Sequence, residues 1–326
     1  MKNGCVIPVL IFAVMIAQIA RGAECIEPVA DMYMIVDLSS NSTCRVSYRD
    51  SVPMGGWSSE YKKTKLVLRK IPQGTFKMGG YIRYEVGLSE KDAPFFCGEV
   101  RDVKISRPYY LGVFEVTQRQ YEMVTGTNPS VWVSEMHPVN CVSWVDVRGE
   151  DSTAPQGVCG PSVVGDCSFL GRLRKITGLD GFDLPTEAQW ECACKGGTDE
   201  DVSESGLASG GPSALLVARC WENGGAFWPT NCVVADVGSY APNPYGLYDM
   251  HGNVFEWCID RRAKYDDNVD VDPMNYGDSS QGHVNRVLRG GSGRVDARHC
   301  NSSFRWGASA RARINEYGFR IAYCIP

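Results

Sequence analysis

Histidine is scarce in this chain. Four stand among 326 residues, at His137, His251, His283 and His299. No two are three or four apart, the spacing that places a pair of ligands on one helical face for a metal ion. Charge of a single sign is missing as well. The 33 lysines and arginines against 38 aspartates and glutamates leave a formal net charge of −5, which gives no basis for whole-molecule attraction to nucleic acid or to an anionic membrane. Beyond residue 22 no apolar run approaches the roughly 20 residues a spanning helix needs, so no integral membrane segment is expected in the mature protein. Phosphate-loop and Gly-x-Ser-x-Gly patterns are absent, as are long-period repeats and low-complexity tracts. These absences speak against paired-histidine zinc enzymes, P-loop enzymes, elbow-type serine hydrolases and polytopic membrane proteins.

What is present points to export. Lys2 precedes an almost wholly apolar stretch from Val6 to Ala20, and Ala20-Arg-Gly22 offers small residues for cleavage. Residues 1–22 therefore read as a secretory signal, with an ordinary N-terminal helix or an uncleaved anchor as the alternative. Glu24 before Cys25 does not suit a lipoprotein acylation site. The expected destination is secreted, periplasmic or cell-surface. Fourteen cysteines fit an oxidising compartment, where disulfides persist. Loss of Cys5 with the signal leaves an odd number, so at least one thiol stays unpaired within the chain. Spacing does not fix the pairing.

With 44% apolar residues the chain can fill a sizeable core. Residues 23–64 read as a short β-rich extension, with strands over Met32-Tyr-Met-Ile-Val-Asp37 and Cys44-Arg-Val-Ser-Tyr48. From residue 65 to 326 a single α+β domain is expected. Leu66–Ile71 and Thr75–Gly79 read as strands about the turn Pro72-Gln-Gly74. Thr117 with Gln120 forms a capping box and Gly126 a stop, which predicts a short helix between them. Gly149 to Asp166, rich in Gly, Pro, Ser and Asp, reads as a surface insertion, with helix resuming over Phe169–Thr177 before Gly178. Thr186 and Gln189 box the start of another helix, which Gly196-Gly197 ends. Thr198 to Ala241 shows few periodic apolar positions and carries the aromatics Trp221, Phe227 and Trp228.

Seven short marks run through this domain in order. They are Phe76-Lys-Met-Gly79; Glu115-Val-Thr117; His137-Pro-Val139 with Val142-Ser-Trp144; Leu184-Pro-Thr-Glu-Ala-Gln-Trp-Glu191; Gly246-Leu-Tyr-Asp-Met-His-Gly-Asn-Val254; Arg289-Gly-Gly-Ser292; and Gly318-Phe-Arg320. Together they resemble the formylglycine-generating enzyme (sulfatase-modifying factor) family, which oxidises a sulfatase cysteine on a fold related to C-type lectins. The resemblance implies one compact domain with little regular secondary structure, held by turns and buried aromatics.

Two metal sites come into question. Asp249 and Glu256 can supply hard anionic oxygens, and the carbonyls of Gly252 and Val254 can complete a cage of the kind Ca²⁺ prefers. The resemblance implies calcium at these four positions. The other reading is that the carboxylates cap a buried turn. For the oxidase reaction, the family holds Cu⁺ between two cysteines placed three and eight residues after the serine of Gly-Gly-Ser. Counted from Ser292, the eighth position is Cys300 and the third is Val295. One thiolate holds a soft monovalent copper poorly, and Phe255 replaces a tryptophan that flanks the oxygen site in the enzymes. Cys300 and Ser292 are thus the catalytic candidates. A turn serine and a buried, inert or disulfide-bonded cysteine are the alternatives.

The C-terminal part offers a second function. Eight arginines follow from Arg286 onward, of which Arg286, Arg289, Arg305 and Arg320 recur as scaffold in the family. Lectin-like proteins that display a variable segment for ligands use the comparable stretch as their binding face. Here it contains Arg294, Arg298, His299 and Trp306, residue types in which arginine and tryptophan concentrate binding energy. The working expectation is an exported family member with an incomplete copper site that binds a protein or small ligand at this loop face. The alternative is an active oxidase that takes a sulfatase peptide as substrate through Cys300.

Overall fold

The computed structural model describes residues 32–39, 45–80, 98, 100–149, 164–198, 214–224, 233–265, 270–275 and 285–325. The signal segment, the centre of the inserted loop, Phe227, Trp228 and His283 lie outside the described residues.

A six-stranded sheet forms the body. Its strands are β1 (Tyr33–Asp37), β2 (Val46–Arg49), β3 (Lys65–Ile71), β6 (Tyr109–Gly112), β7 (Phe182–Asp183) and β14 (Ala322–Cys324). They lie in the order β2-β1-β3-β6-β14-β7. The two strands expected in the N-terminal extension are present, and β1 pairs antiparallel with β3 along its full length, from Tyr33 opposite Arg69 to Asp37 opposite Lys65. The β-rich segment is therefore continuous with the main sheet. Period-2 alternation explains why both faces of this sheet are covered. Met34, Val36, Leu66 and Leu68 enter one core, while Tyr33, Ile35, Val67 and Leu111 enter the other.

The hairpin expected about Pro72-Gln-Gly74 takes a different form. The strand β4 (Gly74–Met78) leaves the large sheet and pairs with β5 (Arg101–Ile105). A four-stranded sheet then carries the C-terminal motifs: β10 (Phe255–Arg261), β11 (Asn285–Arg289), β12 (Trp306–Ser309) and β13 (Tyr317–Gly318), in the order β12-β11-β10-β13. A short parallel pair, β8 (Ala218–Arg219) with β9 (His251–Gly252), ties the middle of the chain to the central turn.

The helices begin and end where their caps dictate. A short helix α1 (Ser59–Lys63) leads into β3. Helix α2 (Gln118–Thr125) has the full Thr117/Gln120 capping box and ends on left-handed Gly126, and α3 (Trp144–Arg148) has a Ser143/Asp146 box. Helix α4 (Phe169–Thr177) starts from Ser168 and ends at Gly178. In α5 (Glu187–Lys195) every residue is buried, which four charged or polar side chains would forbid without partners. Arg305 meets Glu187 through two bonds, at 2.5 and 2.8 Å. Arg289 and Lys195 both reach Glu191. Two further turns follow, α6 (Ala214–Val217) and α7 (Trp221–Gly224); the Trp221 amide of α7 donates to the Val295 carbonyl of the C-terminal loop at 2.9 Å. Among the described residues no helix is long and apolar enough to cross a membrane.

Candidate functional site

The glycine-rich turn before β10 is built on left-handed backbone. Asp249, Gly252 and Asn253 have φ of 56°, 83° and 63°, and Asp and Asn are the non-glycine residues that tolerate this region best. Asn253 secures the turn from both ends of its amide, accepting from the Ala235 amide at 2.9 Å and donating to Glu115 Oε2 at 2.6 Å. Glu115 also accepts from the Val254 amide at 3.1 Å. Burial, then the neighbouring Asp249 and Glu256, pushes the Glu115 carboxyl well above its usual range. Burial likewise pushes Asp249 up to about 6, against the lowering effect of its bond from the Gly238 amide.

The cation of this turn is Arg320. Its guanidinium grips Glu256 through two bonds of 2.6 Å and donates to the carbonyls of Gly112 and Tyr248 at 2.9 and 3.0 Å. One of its nitrogens also lies 3.4 Å from the Asp249 carbonyl. Trp190 donates to the same Glu256 carboxylate at 2.7 Å. Asp249, Gly252, Val254 and Glu256 do share one turn, as the motif suggests; Arg320 and Trp190 engage the Glu256 carboxylate, whereas that of Asp249 accepts the Gly238 amide at 2.6 Å. Arg320 thus occupies both oxygens of Glu256, so that carboxylate is not free for the calcium ion that the motif implies. Among the described residues no three side chains of His, Cys, Asp or Glu converge as a metal site.

After β11 the chain turns through Gly290 and Gly291, at φ of 91° and 81°. The second glycine is also required by space: a Cβ there would stand 2.6 Å from Cys300 Sγ. The turn delivers Ser292, fully buried, whose hydroxyl donates to Glu316 Oε2 at 2.8 Å and accepts from the Arg294 amide at 3.2 Å. Ser292 thus holds a turn and a carboxylate.

Cys300 is buried in a small cluster with Ala218, Cys220 and Ala297, and Val295 packs against it. Burial pushes the Cys300 thiol well above its ordinary value, and Cys220 up to about 11. Val295 therefore puts an isopropyl group where the resemblance calls for a thiolate, and the positions three and eight after Ser292 do not fit a two-thiolate copper ion. Beneath them His251 is locked: Nδ1 lies 2.6 Å from the Cys300 carbonyl and Nε2 faces Cys194 Sγ at 3.8 Å. Burial lowers the His251 pKa and raises that of Cys194, both of which disfavour a thiolate–imidazolium pair.

Directly above Val295 lies a pocket of about 370 Å³. It opens where β10, β12 and β13 begin, because the register sets Phe255 beside Tyr317 and Trp306 beside Leu288. Phe255, Phe304, Trp306 and Tyr317 supply rings, and Val295 and Ile314 supply aliphatic walls. His299 and Glu316 are the polar members. Of the four binding candidates, His299 and Trp306 line this pocket. Arg298 is exposed and paired with Asp296 at 2.9 Å, and Arg294 stands 3.6 Å from Glu316; neither lines it. Phe304 is 3% exposed and Trp306 39%, so the first is wall and the second is accessible rim. Ile314, Glu316 and Tyr317 were missed from sequence. Their nearness to Gly318-Phe-Arg320 was the available signal, since that motif returns the chain to β10.

With the geometry in hand, the comparisons agree on kinship. A profile of the sulfatase-modifying factor enzyme 1-like domain matches residues 58–325. The chain is 30% identical over 269 residues to the formylglycine-generating enzyme of Thermomonospora curvata, covering 71% of this chain and 84% of that protein. It is 32% identical over 174 residues to chaperone protein LppX of Paenibacillus barcinonensis, covering 46% of this chain and 61% of LppX. Among solved structures, Treponema denticola variable protein 1 superposes with a TM-score of 0.57 at 24% identity, covering 80% of this chain and 96% of that one, which supports the fold. The chain belongs to the sulfatase-modifying factor enzyme 1-like domain family, and its α+β, C-type-lectin-like architecture is that of the family.

Proposed function

We propose that this family member is an exported binding protein whose ligand seat is the pocket over Val295, and that it does not generate formylglycine. The observation that carries this reading is the double role of Val295. It stands at a position where the oxidase needs a thiolate, and it forms part of the wall of an open, ring-lined pocket. Concave, largely apolar pockets with a few placed polar groups are the usual seats of ligands. Cys300 packs against Val295, and burial pushes its thiol well above its ordinary value, away from the thiolate form that binds metal. The chain's own groups can bind and orient a ligand here: Trp306 and Tyr317 offer ring faces, Glu316 a carboxylate held by Ser292, and His299 a ring braced by Asp296 at 2.9 Å.

Incubation of the mature protein with a sulfatase-type cysteine peptide, oxygen and copper is the test. Mass spectrometry should show the peptide cysteine unchanged. Copper-dependent conversion that disappears in Cys300→Ser would overturn the reading.

One observation favours the rival oxidase. Cys220 shares the buried cluster of Cys300, so a second thiol stands on that side of the loop although the sequence lacks one at position 295. If turnover is found, Cys220→Ser tells whether this thiol replaces the missing one.

A further inference from the structure

We propose that the pocket receives a methylated ammonium group, caged by aromatic rings and counter-charged by Glu316. This rests on the binding reading above and specifies its ligand class. The lining rings pack on one another in two orientations. Trp306 lies nearly parallel to Phe255 and to Phe304, at interplanar angles of 29° and 15° with centroids 6.4 and 6.5 Å apart. Tyr317 stands across Phe255 at 84°. The indole nitrogen of Trp306 donates to the Tyr317 hydroxyl at 3.1 Å, which fixes these two rings against each other. A cation is drawn to the negative face of such rings, and aromatic cages of this type suit quaternary ammonium.

Charge selects the cation over a neutral apolar group. Among the described residues lining the pocket, Glu316 is the only carboxylate, and neither lysine nor arginine is among them. Its side chain keeps 19% of its surface, so any ligand that closes the pocket strips water from its carboxyl group. Arg294 and Ser292 compensate that loss in part, and a cation in the pocket adds to them where a neutral occupant does not. Arg294 stays in place at the far edge of ion-pair range, 3.6 Å from Oε1, and Ser292 holds the other oxygen. The ammonium group would thus share Glu316 with a side chain outside the pocket. At about 370 Å³ the space exceeds a bare tetramethylammonium ion, so room remains for the stem that carries it, as in choline or a trimethyl-lysine side chain.

Binding of choline and of a trimethyl-lysine peptide to the full mature chain, measured by calorimetry beside the uncharged isostere 3,3-dimethylbutanol, tests this. Choline, the peptide or both should bind, with the isostere about tenfold weaker or more, and Trp306→Ala and Glu316→Gln should each cause a comparable loss without unfolding the protein. Choline alone would point to a small molecule or headgroup, and the peptide alone to a modified protein tail. Equal affinity for the isostere would overturn the cation proposal while leaving the binding reading intact. Absence of binding by both cations would also overturn it, and the formylglycine assay judges the broader reading separately.

Discussion

Arg320 holds Glu256 through both carboxylate oxygens, each contact 2.6 Å long, with both side chains completely buried. The pair sets a guanidinium against the carboxylate where a divalent ion was expected. It also joins the C-terminal Gly318-Phe-Arg320 motif to the start of β10.

The first prediction follows from that pair. Since Arg320 already takes both oxygens of Glu256, chelation with EGTA should leave the melting temperature unchanged. Arg320→Met should destabilise the fold by about 3–5 kcal/mol, because it strands a buried carboxylate. A Tm that falls on chelation and recovers with calcium, and that no longer responds in Asp249→Ala, would show that calcium displaces the guanidinium.

Copper gives a second test at Val295. The wild type should hold Cu⁺ weakly in competition with a Cu⁺ chelator, and Val295→Cys should hold it at least about tenfold more tightly, since a second thiolate suits the soft ion. Equal competition curves for the two proteins would show that Cys220 or another thiol already completes the site.

Gly291 carries two constraints at once, a left-handed φ of 81° and the 2.6 Å approach to Cys300 Sγ. Gly291→Ala should therefore cost about 3 kcal/mol, read from denaturant midpoints. The double variant Gly291→Ala/Cys300→Ala should recover part of this loss, because the closest contact is to the sulfur, while the 2.9 Å approaches to Cys300 Cα and the His299 carbonyl remain. Full additivity of the two substitutions would mean that backbone strain and these backbone contacts alone are at work.

Asp260 sets a pH dependence of known sign. Burial, with Glu187 nearby, pushes its carboxyl up to about 7. A raised folded-state value means that its contribution is complete below about pH 4 and is lost as pH rises through 7. The slope is about 1.4 kcal/mol per pH unit for the one proton involved. Glu187 shifts the opposite way, so the comparison has to be made between variants. Asp260→Asn should flatten stability between pH 5 and 8 relative to wild type. At pH 5 the neutral acid and the amide each offer one acceptor to the Glu187 and Asn275 N–H donors, so the two proteins should be of similar stability there. Parallel pH profiles for the two proteins would assign the titration to another group.

Local signals in the sequence were sufficient wherever the determining contact is short in range. Thr117 with Gln120 and Thr186 with Gln189 closed as capping boxes, and Gly126, Gly178 and Gly196 ended helices in the left-handed region. Each of those bonds joins residues a few positions apart, so the chain encodes them without reference to the rest of the fold. The seven ordered motifs likewise identified the family and located Asp249, Ser292 and Cys300 in its turns.

Tertiary structure alone decided what those residues touch. Glu256 meets Arg320, 64 positions away. Ser292 meets Glu316, which accepts its hydroxyl. That Cys220 neighbours Cys300 follows from packing across 80 positions of sequence. The pocket exists because the parallel pairing of β10 with β13 and the antiparallel pairing of β11 with β12 bring Phe255, Tyr317 and Trp306 to one mouth. Period and spacing carry no information about such pairings, since residues distant in the chain meet only once both sheets have formed around a shared core.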